Sequence, residues 1–463
     1  MQSISLRWLF SILLVVGCST PLPFRSPPSA QTAKEDPETK ISRDFRREAK
    51  KTLKLISDPE VDRYVNQMGQ RILSSMGPQP YEYRFFVIED SQLNAFAVPG
   101  GTIYIHTGLI ERVRKTDELA GVLGHEIVHV KGRHMARLSG MDPLNLLALL
   151  GVFLAGAGAQ GQMAGVVGQA LAATRQLSYT RSLEQEADTL GVKYVAESGY
   201  DPRGILNFLK IIEHERTLNP VDIPPYLMTH PVTQERIAHV ELALRSTSPG
   251  RFRGEALDPI RRIQTILRLQ KYEADAVIRE NEKLLVGYPA NAEPVHFLGL
   301  AYHHKGRLAE ARANYERAKG LNPNTPGIDR DLGRLYTQLG EFALARQAFE
   351  RSLNVAPDES LNYLFLGELF EKEAKFSDAI SSYLRAQSLA PLWPEPAQRL
   401  GMAYGKTNRL GDAYYYLGRS HFLQDEYEKA MADLARAIKV FGPKSARGQA
   451  IQDELDAIRS RGK

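Results

Sequence analysis

The chain has 463 residues, too many for one ordinary hydrophobic core, so its length predicts two or more domains. A composition with 43% hydrophobic and 24% charged residues is typical of a soluble globular protein. The net charge of +5 is small and no basic run is interleaved with aromatic residues, so we expect no nucleic-acid partner. Cys18 is the single cysteine, which excludes an intrachain disulfide.

The N-terminus has the pattern of an export signal. Arg7 precedes an apolar stretch at 8–16 that is too short to span a bilayer as a mature helix. The small residues before Cys18 resemble a bacterial lipoprotein signal, which implies cleavage after a signal peptide at 1–17 and lipid attachment to Cys18. An ordinary signal peptide with an incidental cysteine is the alternative.

The residues after the cysteine predict where the protein is held. Ser19 rather than Asp follows Cys18, which in Gram-negative lipoproteins favours the outer membrane. Residues 18–40 are rich in Pro, Ser, Thr and charge and lack hydrophobic periodicity, so they predict a flexible tether. We therefore expect a periplasmic protein that is lipid-anchored to the outer membrane.

One motif in the first half of the chain carries metal chemistry. The run 125–129 has the form HExxH, and the apolar residues around it recur at helical spacing. Residues four apart share a helix face, so His125 and His129 can bind one Zn²⁺ while Glu126 acts as a base on water. A buried helix with two incidental histidines is the alternative.

A short strand motif precedes the HExxH helix. Pro99 and two glycines end this segment, which suits a sheet edge because proline cannot donate to a β-ladder. An exposed edge beside a metal site can bind an extended peptide by strand addition, although a plain hairpin is also possible. The candidate substrate-binding residues of this edge are Asn94, Ala95, Phe96 and Ala97.

A catalytic zinc needs a third protein ligand, and an acidic helix after the motif supplies candidates. Glu184 and Asp188 are four residues apart and share a face, so one can bind the metal while the other accepts the outer N–H of a ligating histidine. Glu186 points elsewhere on a regular helix. The apolar segment between the two motifs, 144–173, predicts a helical hairpin or lid, and membrane contact is the alternative.

In this order, the three motifs resemble the M48 family of zinc metallopeptidases over residues 41 to 245, and most of all its soluble periplasmic BepA-type branch. The resemblance implies one Zn²⁺ per chain and Glu126 as the base. It implies that Asp188 does not bind the metal but contacts a residue that does. It also implies a gluzincin-like α+β domain at 41–250, mostly helical with a small sheet. The implied ligands are His125, His129 and Glu184.

Two further histidines lie near these motifs. His134 follows His129 by five residues, which places it off the ligand face, and we interpret it as structural. His230, followed by Pro231 and later by Arg236, matches a motif of the same branch. The resemblance implies either a reversible fourth zinc ligand that closes the site or a donor to the oxyanion. A surface-loop histidine is the alternative.

From about residue 257 the sequence becomes repetitive. Glycines, aromatic residues, alanines and prolines recur every 34 residues, as at Gly299, Gly333, Gly367 and Gly401. This period resembles the tetratricopeptide repeat and predicts an all-α solenoid at 256–463, with a departure from register after His421. Such a groove binds polypeptides, and the resemblance implies the outer-membrane β-barrel assembly machinery as a partner.

Two functions fit this sequence. The first is a zinc endopeptidase that acts on misfolded or stalled outer-membrane and periplasmic proteins, with the repeats recruiting substrate or assembly machinery. The second is a chaperone-like assembly factor whose zinc site is mostly closed by His230.

Overall fold

The computed structural model describes residues 36–139, 180–218, 224–247, 258–325 and 327–461. Within these ranges helices surround one small sheet and paired helices follow, so the predicted fold class is confirmed. The predicted signal peptide at 1–17, Cys18 and the segment 144–173 lie outside the described residues. None of the described helices combines the length and the apolar content that a membrane span requires.

Residues 37–40, which we assigned to the tether, are helical instead. Helix α1 spans Pro37–Thr52, and the side chain of Asp36 accepts a hydrogen bond from the backbone N–H of Glu38. An acidic cap followed by proline is a common helix start, because the cap satisfies a free N–H and proline has none to satisfy. The same residue types that indicated a linker therefore begin the first helix.

A three-stranded sheet and nine further helices complete the described N-terminal part. The strands are β1 Arg84–Ile88, β2 Ala95–Val98 and β3 Thr102–His106. The helices are α2 Pro59–Ser75, α3 Thr107–Arg112, α4 Thr116–Lys131, α5 His134–Ser139, α6 Arg181–Glu197, α7 Arg203–Leu218, α8 Pro225–Thr229, α9 Gln234–Ser246 and α10 Ile260–Gln270.

The sheet has the strand order β1-β3-β2, which places β2 at an edge, as the sequence predicted. Strand β1 runs parallel to β3, and β2 runs antiparallel to it. The other outer edge, on β1, is covered by two segments. The side-chain amide of Asn66 on α2 donates to the carbonyl of Phe85, and the backbone N–H of Ile56 donates to the carbonyl of Val87. All four residues of β2 are buried.

Helix α4, which carries the HExxH motif, is the centre of this domain. It packs against α6 and α7, and small residues let their backbones approach closely. A Cβ added at Gly124 would lie 2.5 Å from the side chain of Val195, and one at Gly121 would lie 2.7 Å from the backbone of Ile205. These contacts bring the acidic start of α6 next to the motif.

The C-terminal part is a row of antiparallel helix pairs. Its helices are α11 Ala274–Gly287, α12 Ala292–His304, α13 Leu308–Leu321, α14 Ile328–Leu339, α15 Phe342–Val355, α16 Ser360–Lys372, α17 Phe376–Leu389, α18 Pro394–Lys406, α19 Leu410–Leu423, α20 Tyr427–Phe441 and α21 Ala446–Arg461. One continuous apolar core runs through them, as expected for stacked repeats.

The packing boundary between the two parts lies within α10. Ile260, Ile263 and Leu267 belong to the core of the N-terminal domain, whereas Leu269 packs with the repeats. The sequence pattern changes before this helix, so we placed the boundary at residue 256. Amphipathic periodicity shows that a helix has a buried face, but not which neighbour covers it.

Two buried ion-pair clusters join the repeats to the N-terminal domain. Arg262 donates to both oxygens of Glu60, at 2.6 and 2.9 Å, and to both oxygens of Asp331, at 2.7 and 3.0 Å. Arg46 donates to both oxygens of Asp425, each at 2.8 Å. Bidentate pairs have a defined geometry, so the clusters orient the two parts relative to each other.

Candidate metal centre

His125 and His129 meet at one buried point beside α4. They are one turn apart on the helix, and their Nε2 atoms are 2.9 Å apart. Each residue has 2% of its surface exposed. The motif predicted that both imidazoles lie on one helix face, and the structure agrees because both direct Nε2 to the same buried point.

Helix α6 places a carboxylate at that point. Oε1 of Glu184 lies 3.3 Å from Nε2 of His129, and its Oε2 lies 3.6 Å from Nε2 of His125. One turn later, Oδ1 of Asp188 lies 2.9 Å from Nδ1 of His125, on the far side of the ring. Glu184 thus faces the shared centre, and Asp188 accepts from the outer nitrogen of His125.

His230 completes the cluster from the end of α8. Its Nδ1 lies 2.9 Å from Oε1 of Glu184 and 3.3 Å from Nε2 of His125. Its ring stacks on Tyr226 with a centroid distance of 4.5 Å, and only 1% of the residue is exposed. The alternative of a surface-loop histidine is therefore wrong.

The donor set fits a metal ion. Asp188 holds the proton of His125 on Nδ1, so Nε2 of that ring carries a lone pair. This lone pair faces Nε2 of His129 and the Glu184 carboxylate, so the three groups can direct lone pairs at one shared cation. One ligand atom from each of His125, His129, Glu184 and His230 can be chosen so that all lie within 4.8 Å of one another. Two nitrogens and one carboxylate oxygen are a donor set that Zn²⁺ accepts.

Glu126 lies beside the cluster and is not among its four candidate ligands. It is fully buried, and neither carboxylate oxygen has a hydrogen-bond partner within the described ranges. Nε2 of His230 is 3.4 Å from its Oε1. Burial raises the pKa of Glu126 above its usual value, which suits a group that takes up and releases a proton.

Comparison with known sequences identifies this domain. The profile described as "Peptidase family M48" matches residues 59–243. Residues 59–243 form an M48 peptidase domain. Tetratricopeptide-repeat profiles match 274–326 and 302–365, and a profile described as "Est1 DNA/RNA binding domain" matches 379–460, where the same helix pairs continue.

The M48 domain also has curated relatives. "Beta-barrel assembly-enhancing protease" of Escherichia coli (strain K12) is 37% identical over 192 residues, which are 40% of this chain and 39% of the relative. The protein of the same name in Yersinia pestis is 34% identical over 211 residues, 44% of this chain and 43% of the relative. "Mitochondrial metalloendopeptidase OMA1" of Arabidopsis thaliana is 32% identical over 154 residues, which are 33% of this chain and 30% of the relative. The matches thus span less than half of each of these relatives.

Arg236 on α9 is part of the M48 site, although we had noted it only as a motif residue. It donates to Oδ2 and Oδ1 of Asp188 at 2.6 and 2.9 Å, and it also contacts Glu184. Burial alone would lower the pKa of Arg236, but these two carboxylates outweigh it and raise that pKa. Its spacing after His230 was the available signal. Its partners depend on how α9 packs against α6.

The predicted edge strand lies beside the M48 site. Ala97 and Val98 line a narrow crevice together with His129 and Arg133. Phe96 packs between Phe45 and Tyr104 in a separate aromatic cluster. Strand β2 is therefore next to His129, one of the candidate ligands, and its use by a substrate stays a prediction.

Proposed function

We propose that this protein is a zinc-dependent endopeptidase. The observation that carries the proposal is the convergence of His125, His129 and Glu184 on one buried centre next to Glu126, whose carboxylate has no hydrogen bond in the described structure. A purely structural zinc site would not need this glutamate. The family of the domain supports the same reading.

Each residue of the site has a separate role in peptide hydrolysis. His125, His129 and Glu184 would hold a Zn²⁺ ion, which when bound would polarise the scissile carbonyl and make water more acidic. Glu126 takes the proton from that water and delivers it to the leaving amine. Asp188 keeps His125 in the tautomer that leaves Nε2 free, and Arg236 holds Asp188 in place.

The substrate is a polypeptide in extended conformation. The edge position of β2 supports binding by strand addition, in which backbone N–H and C=O groups of a peptide pair with the strand. Its candidate contacts are Asn94, Ala95, Phe96 and Ala97. Because this mode reads the backbone, it suits misfolded or stalled proteins of varied sequence.

We place the protein in the periplasm, attached to the outer membrane by a lipid on Cys18. Support comes from the lipoprotein-like sequence before Cys18 and from relatives that are named beta-barrel assembly-enhancing proteases. The repeats would recruit clients or the β-barrel assembly machinery. A cavity of about 750 Å³ between α2 and the repeats, beside Phe365 and Trp393, has room for a polypeptide segment.

A second function is favoured by one specific observation. His230 lies within the ligand cluster and all four cluster residues are buried, an arrangement that suits a site closed at rest. In this case the protein acts mainly by binding, as an assembly factor. Rescue of an envelope-assembly defect by the Glu126→Gln variant would favour this function over proteolysis.

The test of the endopeptidase proposal uses the lipid-free chain from Ser19 onward. We expect one zinc per chain in the wild type and in Glu126→Gln, because glutamine does not disturb the three ligands. Casein hydrolysis should fall by about 10²- to 10⁴-fold in the variant, since its amide cannot accept the proton of water.

The matched control is Glu235→Gln, which changes an exposed glutamate on α9 that pairs with Arg181. This variant should keep both zinc and activity. Wild-type turnover in Glu126→Gln would overturn the mechanism, and a wild-type protein without bound zinc would overturn the site itself.

A further inference from the structure

His134 lies directly behind the ring of His129, although it follows the HExxH helix. Helix α4 ends at Lys131, and Arg133 then adopts a positive φ of 51°. This turn sends His134, the first residue of α5, back towards α4. A residue other than glycine at positive φ is uncommon and strained, so other contacts must hold the turn.

The neighbouring residues hold this turn and leave room for the ring. Nε of Arg133 donates to Oε1 of Glu38 at 2.8 Å, and the hydroxyl of Tyr81 donates to the other oxygen of Glu38 at 2.7 Å. A Cβ added at Gly132 would lie 2.3 Å from Nε2 of His134. Glycine at this position therefore provides the space that the imidazole occupies.

The ring of His134 contacts the nitrogen of His129 that faces away from the metal centre. The two Nδ1 atoms are 3.0 Å apart, and His134 has no exposed surface. On its other side, Nε2 of His134 lies 3.5 Å from Oε1 of Glu186. Oε2 of Glu186 in turn accepts from Nη1 of Arg137 at 3.0 Å.

These contacts allow one direction of hydrogen bonding when His129 binds a metal. A lone pair on Nε2 of His129 requires the proton on its Nδ1, which then donates to Nδ1 of His134. The proton of His134 must then lie on Nε2, which is 3.5 Å from Oε1 of Glu186. The second ligand is thus oriented through a histidine and a carboxylate, whereas His125 is oriented by Asp188 directly.

We propose that His134 is a positioning residue that fixes the tautomer and ring orientation of His129 for metal binding. The inference rests on the proposed zinc site. It replaces our interpretation of His134 as merely structural, because the ring contacts the ligand itself. Residues that hold a metal ligand from behind typically change metal affinity by about 10- to 100-fold when they are removed.

The test measures zinc affinity by competition with a chelator, in the Glu126→Gln background so that turnover plays no part. We expect His134→Leu, which keeps the volume but removes the acceptor, to weaken zinc binding by about 10- to 100-fold. His134→Asn should restore most of the affinity, because its Oδ1 occupies nearly the place of Nδ1 and can accept. The control His214→Leu changes an exposed histidine on α7 and should leave the zinc affinity unchanged.

Glu186→Ala provides a second variant that leaves the buried ring in place. Glu186 is partly exposed, so this variant should fold, and we expect a smaller loss of zinc affinity in the same direction. Wild-type affinity in His134→Leu would overturn the inference. Equal losses in the Leu and Asn variants would also overturn it, because packing alone would then explain them.

The outcome is separate from that of the endopeptidase proposal. If the wild type binds zinc in a His134-dependent manner but does not hydrolyse casein, the endopeptidase proposal fails and this inference stands. If casein is hydrolysed but the zinc affinity does not depend on His134, the endopeptidase proposal stands and this inference fails.

Discussion

His230 is the residue whose role the sequence left open, and its contacts favour one of the two alternatives. Its Nδ1 lies within 3.3 Å of both Glu184 and His125, where a fourth ligand would be. Its stacking on Tyr226 holds the ring there. A donor to the oxyanion would instead have to face the substrate, whereas Nδ1 of His230 lies 2.9 Å from Glu184.

We therefore expect His230→Ala to raise basal casein hydrolysis. A closed site whose open form is at most about 10% populated would become at least about tenfold more active. Zinc content should not change, because His125, His129 and Glu184 remain. His214→Ala, at an exposed position, is the control. A lower kcat in His230→Ala would instead identify His230 as a donor to the oxyanion.

The repeat helices show how small residues set the spacing of a solenoid. A Cβ added at Gly299 would lie 2.3 Å from Tyr315, and one at Gly401 would lie 2.6 Å from Leu417. The same contact recurs at Gly418, where a Cβ would lie 2.9 Å from Leu434. Gly418 follows Gly401 by 17 residues, half a period.

Helix α19 therefore plays two roles. It is the second helix of the pair with α18, and it is also the first helix of the pair with α20, packing closely against both. This half-period step explains why the sequence departs from register near His421. The solenoid continues past that point without a break in its core.

Two glycines on α18 make a matched test of this packing. We expect Gly401→Ala to lower the free energy of unfolding by about 1 to 3 kcal/mol, because the new methyl group would overlap Leu417. Gly405→Ala should raise it by about 0.5 kcal/mol, because a Cβ there would meet nothing within 4 Å and alanine favours the helix. Urea unfolding measures both, and equal effects would contradict the close helix contact.

The two parts of the molecule are joined by buried charges rather than by a large apolar seam alone. Burial would raise the pKa of Glu60, but Arg262 and Arg330 outweigh it and lower that pKa to about 2. Likewise, Arg46 and Arg84 outweigh burial at Asp425 and lower its pKa to about 2. Both carboxylates thus stay charged where unfolded ones, near pKa 4, would begin to take up protons.

The sign of the pH dependence follows from these lowered values. The stabilisation is fully present above about pH 5 and is lost as the pH falls from about 4 towards 2, by about 2 to 3 kcal/mol for each carboxylate. The guanidinium of Arg63 lies over the ring of Trp393, 5.4 Å from its centroid, at the junction of the two parts. Trp393 is the only tryptophan of a chain that starts at Ser19, so its fluorescence reports whether the repeats are packed on the N-terminal domain.

We therefore expect urea unfolding followed by Trp393 fluorescence to shift to lower urea between pH 5 and pH 2.5. The exposed-site variant Glu428→Gln should follow the wild-type profile. Glu60→Gln should be less stable at pH 7 and should depend less on pH, because one of the linked carboxylates is gone. A flat wild-type profile would contradict the role of these clusters.

Features that depend on residues close in sequence could be predicted. Helix geometry predicts several features, because a fixed spacing along a helix sets a fixed side-chain direction. These features are the shared face of His125 and His129, the shared face of Glu184 and Asp188, and the 34-residue repeat. The edge position of β2 followed from Pro99, because that residue cannot continue a ladder. The fold class was predictable for the same reason.

The remaining features depend on which elements pack against each other. The pairing of Arg236 with Asp188, the place of His134 behind His129 and the position of α10 in the N-terminal core each join segments that periodicity treats separately. Side-chain partners across elements are decided by how helices cross and by where a turn such as that at Arg133 directs the chain. Local spacing determines the direction of a side chain along its own helix, and only the folded chain determines what it meets there.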